Sequence, residues 1–345
     1  MRGFIFIGDP HLWSLKPGRR LDSSFMDTVL DKLDQSAELC LKHDLQPICL
    51  GDLFEKAQDN HIPMLTKLVK VLQKFPYKFL TLDGNHDKHE EQINAKNPLN
   101  LLEACGALEI IRTQAPYVFD ITTEKGHKKI LLGGTSYGQY IPESLEKATL
   151  KTKEEWGVDK VLWVTHADLA FEGAYPGSLP LFEIQEIDHV INGHMHATKK
   201  SVKVGETVWH NPGNITRMSI DLAFHVPSVW SYDPLSPHTI TTAQGISCEG
   251  LFQHTLKHIP GDEIFNFEGR HAEKVQSTGV IPEEHLSRFI EQLKQQRIEQ
   301  RTDDATYARE TLAAVLDEYK AAEPVWKIMT ELCERSISLE QEKTQ

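Results

Sequence analysis

A chain of 345 residues is long enough for one large domain with an appendage, or for two domains, and its apolar and charged fractions are ordinary. No apolar run nears the roughly 18 residues of a membrane helix, and Cys40, Cys49, Cys105, Cys248 and Cys333 are too scattered for a disulfide frame or a thiolate zinc site, which points to a reduced, cytoplasmic protein. The formal net charge of −13 weighs against gripping nucleic acid by bulk electrostatics, so such a substrate would need metal ions, local basic patches or a partner.

In chain order, Phe4-Ile5-Phe6-Ile7 is too short for a secretory leader and reads as a core strand over residues 3–7. Ser24 is placed to cap a helix, with Asp27 at the capping-box position and an apolar face of Met26, Val29, Leu30, Leu33, Ala37 and Leu41. A second strand is predicted over 47–50, and a second helix over 64–74 with Leu65, Leu68, Val69 and Leu72 inward. Further strands follow at 78–82, 129–132, 161–165 and 188–191. This alternation predicts an α/β core over 1–222. Residues 223–275 read as strands that complete or cap the core, through Val229-Trp230-Ser231-Tyr232, 239–242 and 255–259. Residues 276–345 read as a helical extension, with helices starting at Pro282-Glu283-Glu284 and spanning 305–321 and 324–339. Its stripe of Leu312, Val315, Leu316 and Tyr319 needs cover, from the main domain or from a partner.

Short polar clusters close several of the strand-like runs: Asp9-Pro10-His11, Gly51-Asp52, Gly84-Asn85-His86-Asp87, His166 and Gly193-His194-Met195-His196. Each alone is ordinary turn chemistry. In an open α/β sheet, however, binding groups collect beyond the carboxyl ends of the strands. Converging there, Asp9, His11, Asp52, Asn85, His166, His194 and His196 would hold two divalent cations, with donor types that suit manganese, zinc or iron, magnesium being the further option. The Asp52 carboxylate is suited to bridge the ions, and Asn85 offers a carbonyl oxygen that adds no charge. Cations about 3.5–4 Å apart can activate a shared water and clamp a phosphoryl oxygen. His86, beside a ligand, is placed to stabilise the transition state or protonate the leaving oxygen.

This set, in this order, resembles the calcineurin-like metallophosphoesterases over roughly the first 200 residues. The resemblance implies a β-sandwich flanked by helices, with Asp9, His11, Asp52 and His196 on one metal and Asp52, Asn85, His166 and His194 on the other. Within the family the chain looks most like the SbcD-type subunit of DNA double-strand-break repair nucleases, bacterial or bacteriophage. That likeness rests on Gly51-Asp52-Leu53-Phe54, on residues 84–88 with a following helix that ends near Cys105-Gly106, and on His166-Ala167-Asp168 leading through Phe171-Glu172-Gly173-Ala174. It implies an SbcC-type coiled-coil ATPase partner docked on the helical extension, a homodimer as a further option, and the host cytoplasm as location if the source is a phage. Two features depart from that branch. Asn211-Pro212-Gly213-Asn214 resembles a turn of small-molecule phosphodiesterases, and Glu55 stands where relatives have His or Asp. Glu55 is read as an orienter of His86 through a carboxylate–imidazole hydrogen bond, or else as an exposed helix-start glutamate.

The leading expectation is therefore a two-metal DNA exo- or endonuclease in repair or recombination. The alternatives are a cyclic-nucleotide or other small-molecule phosphodiesterase or phosphatase, and a non-catalytic scaffold. Arg19-Arg20 and Lys199, Lys200 and Lys203 are candidate DNA-contacting patches or plain solvated charge. Trp163, Trp209 and Trp230 could stack on bases, but fit the core better.

Overall fold

Side chains alternate along a strand, so β1 (Gly3–Ile7) presents Phe4 and Phe6 to one side and Ile5 and Ile7 to the other, and all of them are buried. A strand buried on both faces needs a layer above and another below, and this requirement organises the fold. The computed structural model describes residues 1–267 except 59–60, 89, 91 and 174–175. The three C-terminal helices expected beyond residue 276 lie outside the described residues.

The first half of the chain runs β1, α1 (Phe25–His43), β2 (Leu45–Cys49), α2 (Ile62–Leu72), β3 (Phe79–Thr81), α3 (Pro98–Ala104) and β4 (Leu108–Ile110). β1 to β4 are parallel neighbours, as helical crossovers between them require. Next come β5 (Tyr117–Thr123), β6 (Gly126–Thr135), α4 (Leu145–Thr149), α5 (Lys153–Trp156), β7 (Lys160–His166), β8 (His189–Gly193), β9 (Lys199–Val204) and β10 (Thr207–Asn211). They form a second six-stranded sheet in the order β5-β6-β7-β8-β10-β9. The chain then returns to the first sheet. β11 (Ser228–Tyr232) pairs antiparallel with β1, and β14 (Leu251–Thr255) pairs with β11, giving the order β14-β11-β1-β2-β3-β4. Between them, β12 (Thr239–Thr241) and β13 (Ser247–Glu249) form a separate hairpin, and α6 (Gly261–Ile264) follows β14.

Phe4, Phe6, Ile48, Leu50 and Leu82 of the first sheet meet Ile121, Ile130, Leu162, Val164 and Ile191 of the second. That is the middle of a sandwich. On the outer side of the first sheet, Ile5, Ile7 and Phe79 pack under Val29, Leu33, Leu68, Leu72 and Leu102 of the helices. Outside the second sheet, Trp163, Val190 and Trp209 are covered by Leu145, Leu169, Phe171 and Ile187. The layers thus run helix, sheet, sheet, helix and loop, which is the expected α/β sandwich flanked by helices. Trp163, Trp209 and Trp230 all belong to its core. Among the described residues, no helix is long and apolar enough to cross a membrane.

Several local expectations shift. Ser24 caps α1 by accepting from the Asp27 amide at 3.2 Å, but Asp27 spends its carboxylate on Lys67 of α2. The inward face of α1 ends on Cys40, while Leu41 is turned to solvent. The strand expected over 255–259 is seen earlier, as β14, because pairing with β11 sets its register.

Candidate metal centre

The carboxyl ends of β1, β2, β3, β7 and β8 lie along one rim, and each is followed by one of the polar clusters. The strand ends of the first sheet are tied there, the Leu50 amide donating to the Ile7 carbonyl and the Leu82 amide to the Cys49 carbonyl, and His166 Nδ1 joins the second sheet to the first by donating to the Leu50 carbonyl at 2.7 Å. Asp9, His11, Asp52 and His194 all have φ between +34° and +69°, a region costly for residues with a Cβ. Strain of this kind, roughly 1–3 kcal/mol per residue, persists only where surrounding bonds over-determine the backbone. Here His11 donates its amide to the Asp52 carbonyl, and Leu12 donates to Leu53. Gly51 and Gly84 permit the approach of the other groups: a Cβ on Gly51 would collide with His166 Nδ1, and one on Gly84 with Asp52 Oδ1.

All the expected ligand residues converge. The contacts fall into two groups that share Asp52. In one, His11 Nε2 lies 2.9 Å from His196 Nε2 and 3.7 Å from Asp52 Oδ2. In the other, Asn85 Oδ1 lies 3.2 Å from His166 Nε2 and 3.1 Å from His194 Nδ1, with His166 Nε2 3.2 Å from Asp52 Oδ2. His11, Asp52 and His86, and likewise Asp52, His166 and His194, bring ligand atoms within 4.8 Å of one another. Asp9, His11, Asp52 and His166 are buried, whereas Asn85, His86, His194 and His196 are partly open, so the cluster has a floor and a mouth.

The donor set fits divalent cations. Both oxygens of Asp9 and Oδ2 of Asp52 are buried without a hydrogen-bond partner, a costly arrangement that a cation would relieve. Because His166 Nδ1 donates to a carbonyl, Nε2 is the ring nitrogen left facing the oxygens of Asp52 and Asn85, and the one that would bind a cation on giving up its proton. Burial and then His11 push His196 down to about 3, and burial with His166 takes His194 to about 4, so both rings are neutral at physiological pH, as ligands must be. Burial opposes ionisation of Asp52 and protonation of His166. The attraction between them outweighs it, carrying Asp52 well below the carboxylate range and His166 up to about 9.

Glu55 differs from its sequence reading. His86 Nδ1 donates to the main-chain carbonyl of Glu55 at 2.9 Å, whereas the Glu55 carboxylate is 3.4 Å from that nitrogen and 2.8 Å from His11 Nδ1. The backbone orients His86, and the side chain sits on His11. With Nδ1 committed as a donor, His86 Nε2 is left for proton exchange at the mouth.

Several supporting groups escaped the sequence reading. Asp87 is fully buried and accepts from the amides of Gly84, Phe54 and Leu53 at 2.9, 3.0 and 3.3 Å, welding the Asn85 turn to the segment after Asp52. Asn192 accepts from Thr165 Oγ1 and the Ala167 amide, and donates to Asn211 Oδ1. Asn211 in turn donates to the Met195 and Ala197 carbonyls, so the Asn211-Pro212-Gly213-Asn214 turn holds the loop of His194 and His196 in place. An asparagine at a strand end is the only sequence signal for either. Arg20, a candidate DNA contact, is instead buried against Asp22 and the Arg217 carbonyl. Lys199 and Lys203 bond to the Glu172 carbonyl and to Glu206.

No curated protein matches the chain. Among solved structures, protein TT1561 of Thermus thermophilus is similar at 11% identity and a TM-score of 0.42, covering 74% of this chain and 99% of its own. GAP50, described as the anchor in the inner membrane complex of Plasmodium, is similar at 12% identity and a TM-score of 0.40, covering 76% of this chain and 90% of its own. The sequence pattern of the calcineurin-like phosphoesterases matches residues 3–198, more than half of the chain. With that match laid over the two-sheet sandwich and its cluster of Asp, Asn and His, the chain belongs to the calcineurin-like phosphoesterase family and is a divalent-metal-dependent phosphoester hydrolase.

Proposed function

We propose that the protein is a two-metal phosphodiesterase that cleaves DNA, a nuclease of the SbcD type working with a coiled-coil ATPase in repair or recombination. The observation that carries the phosphodiesterase reading is the pair of ligand groups joined by Asp52, with His86 at their mouth. Asp9, His11, Asp52 and His196 would hold one cation, and Asp52, Asn85, His166 and His194 the other; manganese suits this nitrogen and oxygen donor set. Bound cations supply Lewis acidity and a water activated at neutral pH. The protein's own part is orientation and proton traffic. The His86 amide donates to Asp52 Oδ1 at 2.8 Å, fixing the carboxylate that both ligand groups share, while the Glu55 carbonyl aims the His86 ring. Protonated, Nε2 of His86 can donate to the leaving oxygen, and Nδ1 keeps its bond to the carbonyl throughout.

The choice of DNA over smaller esters is supported by the sequence resemblance, in which Leu53 and Phe54 follow Asp52 as an apolar pair; both are wholly buried under the site. The extension over 276–345 would carry the ATPase contact, and a reduced cytoplasm, or the host cytoplasm for a phage protein, is the fitting compartment. A second reading, hydrolysis of cyclic nucleotides or other small diesters, is favoured by the Asn211-Pro212 turn and the net charge of −13. An activity panel decides between them. Linear and hairpin DNA, a cyclic nucleotide and an aryl diester are offered with manganese, magnesium or zinc, with and without a co-purified partner. DNA cleavage that depends on manganese is the expected result. Brisk turnover of small diesters beside intact DNA, partner present, would replace the nuclease reading with the second one.

A further inference from the structure

Tyr137 stands at the mouth of the metal centre and has no part in the chemistry so far described. Its ring centroid is 5.4 Å from that of His194 at an interplanar angle of 37°, and 6.1 Å from that of His166 at 74°. Even so, 38% of the residue is exposed, so Tyr137 lies against these histidines and still meets solvent. Its backbone is clamped to both ends of the turn that carries Asn85 and His86. The Tyr137 amide donates to the Asp83 carbonyl at 3.2 Å, and the Tyr137 carbonyl accepts from Lys88 Nζ at 2.9 Å. Lys88 is itself paired with Asp83 at 2.5 Å, and Ser136 Oγ donates to the same carboxylate. Asp83 and Lys88 are both buried, 7% exposed each. A buried ion pair adds little to net stability, but it imposes a particular geometry. Here that geometry fixes an aromatic ring beside the place where a scissile phosphate would sit.

We propose that Tyr137 is the base-stacking wall of the substrate site, so that the centre prefers phosphoesters carrying a nucleobase next to the reacting phosphate. This deepens the phosphodiesterase reading and rests on it. Aromatic rings take any base by stacking, without reading sequence. A ring that lies beside these histidines and is still more than a third exposed has surface available for it. The hydroxyl is not required, because the face of the ring makes the contact.

The test is calorimetric affinity of the manganese-loaded full chain for deoxyadenosine 5′-phosphate and for deoxyribose 5-phosphate, which differ only in the base. The wild type should favour the nucleotide by about tenfold, in line with stacking of one base. Tyr137→Phe should keep that ratio. Tyr137→Leu should bring it close to one, with manganese content and deoxyribose 5-phosphate affinity unchanged. A wild-type ratio of one, or a ratio that survives in Tyr137→Leu, overturns the proposal; so does a leucine variant that loses manganese or the sugar phosphate, because the ring would then only prop up His194. Failure of the wild type to bind manganese or either ligand would be a different result, and would remove the two-metal reading itself.

Discussion

At the scale of single residues, binding and chemistry separate. His86 offers a ring nitrogen at the mouth while its backbone holds Asp52. His86→Ala should therefore keep about two metal ions per chain by elemental analysis yet lose roughly 10²–10⁴-fold in kcat. Full activity in that variant would remove the assigned role. Asp52→Asn should act in the opposite order, lowering metal content first, because it takes a charge from the point where both ligand groups meet. Glu55 gives the sharper contrast. Its carboxylate approaches His11 Nδ1 at 2.8 Å, and its main-chain carbonyl serves His86. Glu55→Ala should thus weaken metal affinity by about 10–100-fold, as loss of a partner behind a ligand does, while the pH profile of turnover at saturating metal stays put. A shifted profile with unchanged affinity would show that the carboxylate does act on His86. Sequence alone could place Glu55 near the site, but side chain and main chain of one residue point to different partners, and only folding decides which.

Among the elements, the turn between β3 and α3 is the part on which the site most depends. Asp87 satisfies three buried amides from two chain segments. Asp87→Ala would leave them unpaired, so a loss of about 3 kcal/mol in urea unfolding is expected, with Asp87→Asn losing less because one acceptor oxygen remains. An alanine variant as stable as the wild type would mean that the turn is held by something else. β1, β2, β3 and β11 of the first sheet and the two long helices were legible because their apolar runs are hard to mistake. β4, β5, β9, β10, β13 and β14 were not. β5 mixes exposed and half-buried positions, and β9 is mostly half-buried, so neither carries a strong pattern; their pairing partners define them.

For the whole molecule, pH offers a test of how the strands of the second sheet are held together. His210 of β10 is fully buried, with Nδ1 2.7 Å from Ser201 Oγ of β9 and Nε2 3.1 Å from His189 Nδ1 of β8. Burial pushes His210 well below 6.5 and takes His189 to about 4. A histidine whose pKa is lower in the fold than in the unfolded chain is protonated first when unfolded. Its contribution to stability is complete above pH 6.5 and shrinks as pH falls from there toward 4, by up to about 1.4 kcal/mol per unit for each group. Chemical denaturation at pH 7.5, 6 and 5 should show this decline, and replacing His189 with Asn should flatten it; an equal slope in that variant would place the effect elsewhere. The sequence by itself determined the alternation of strands and helices, the α/β class and the set of Asp, Asn and His residues that the fold gathers at one rim. These are properties of local pattern, and of chemically unusual groups recurring at strand ends. Tertiary structure alone decided that β11 and β14 rejoin the first sheet, that Arg20 is buried, that Asn192 and Asn211 brace the histidine loop, and that Tyr137 reaches the mouth of the site. Each of these depends on contacts between segments far apart in the chain, and no window of sequence contains both partners.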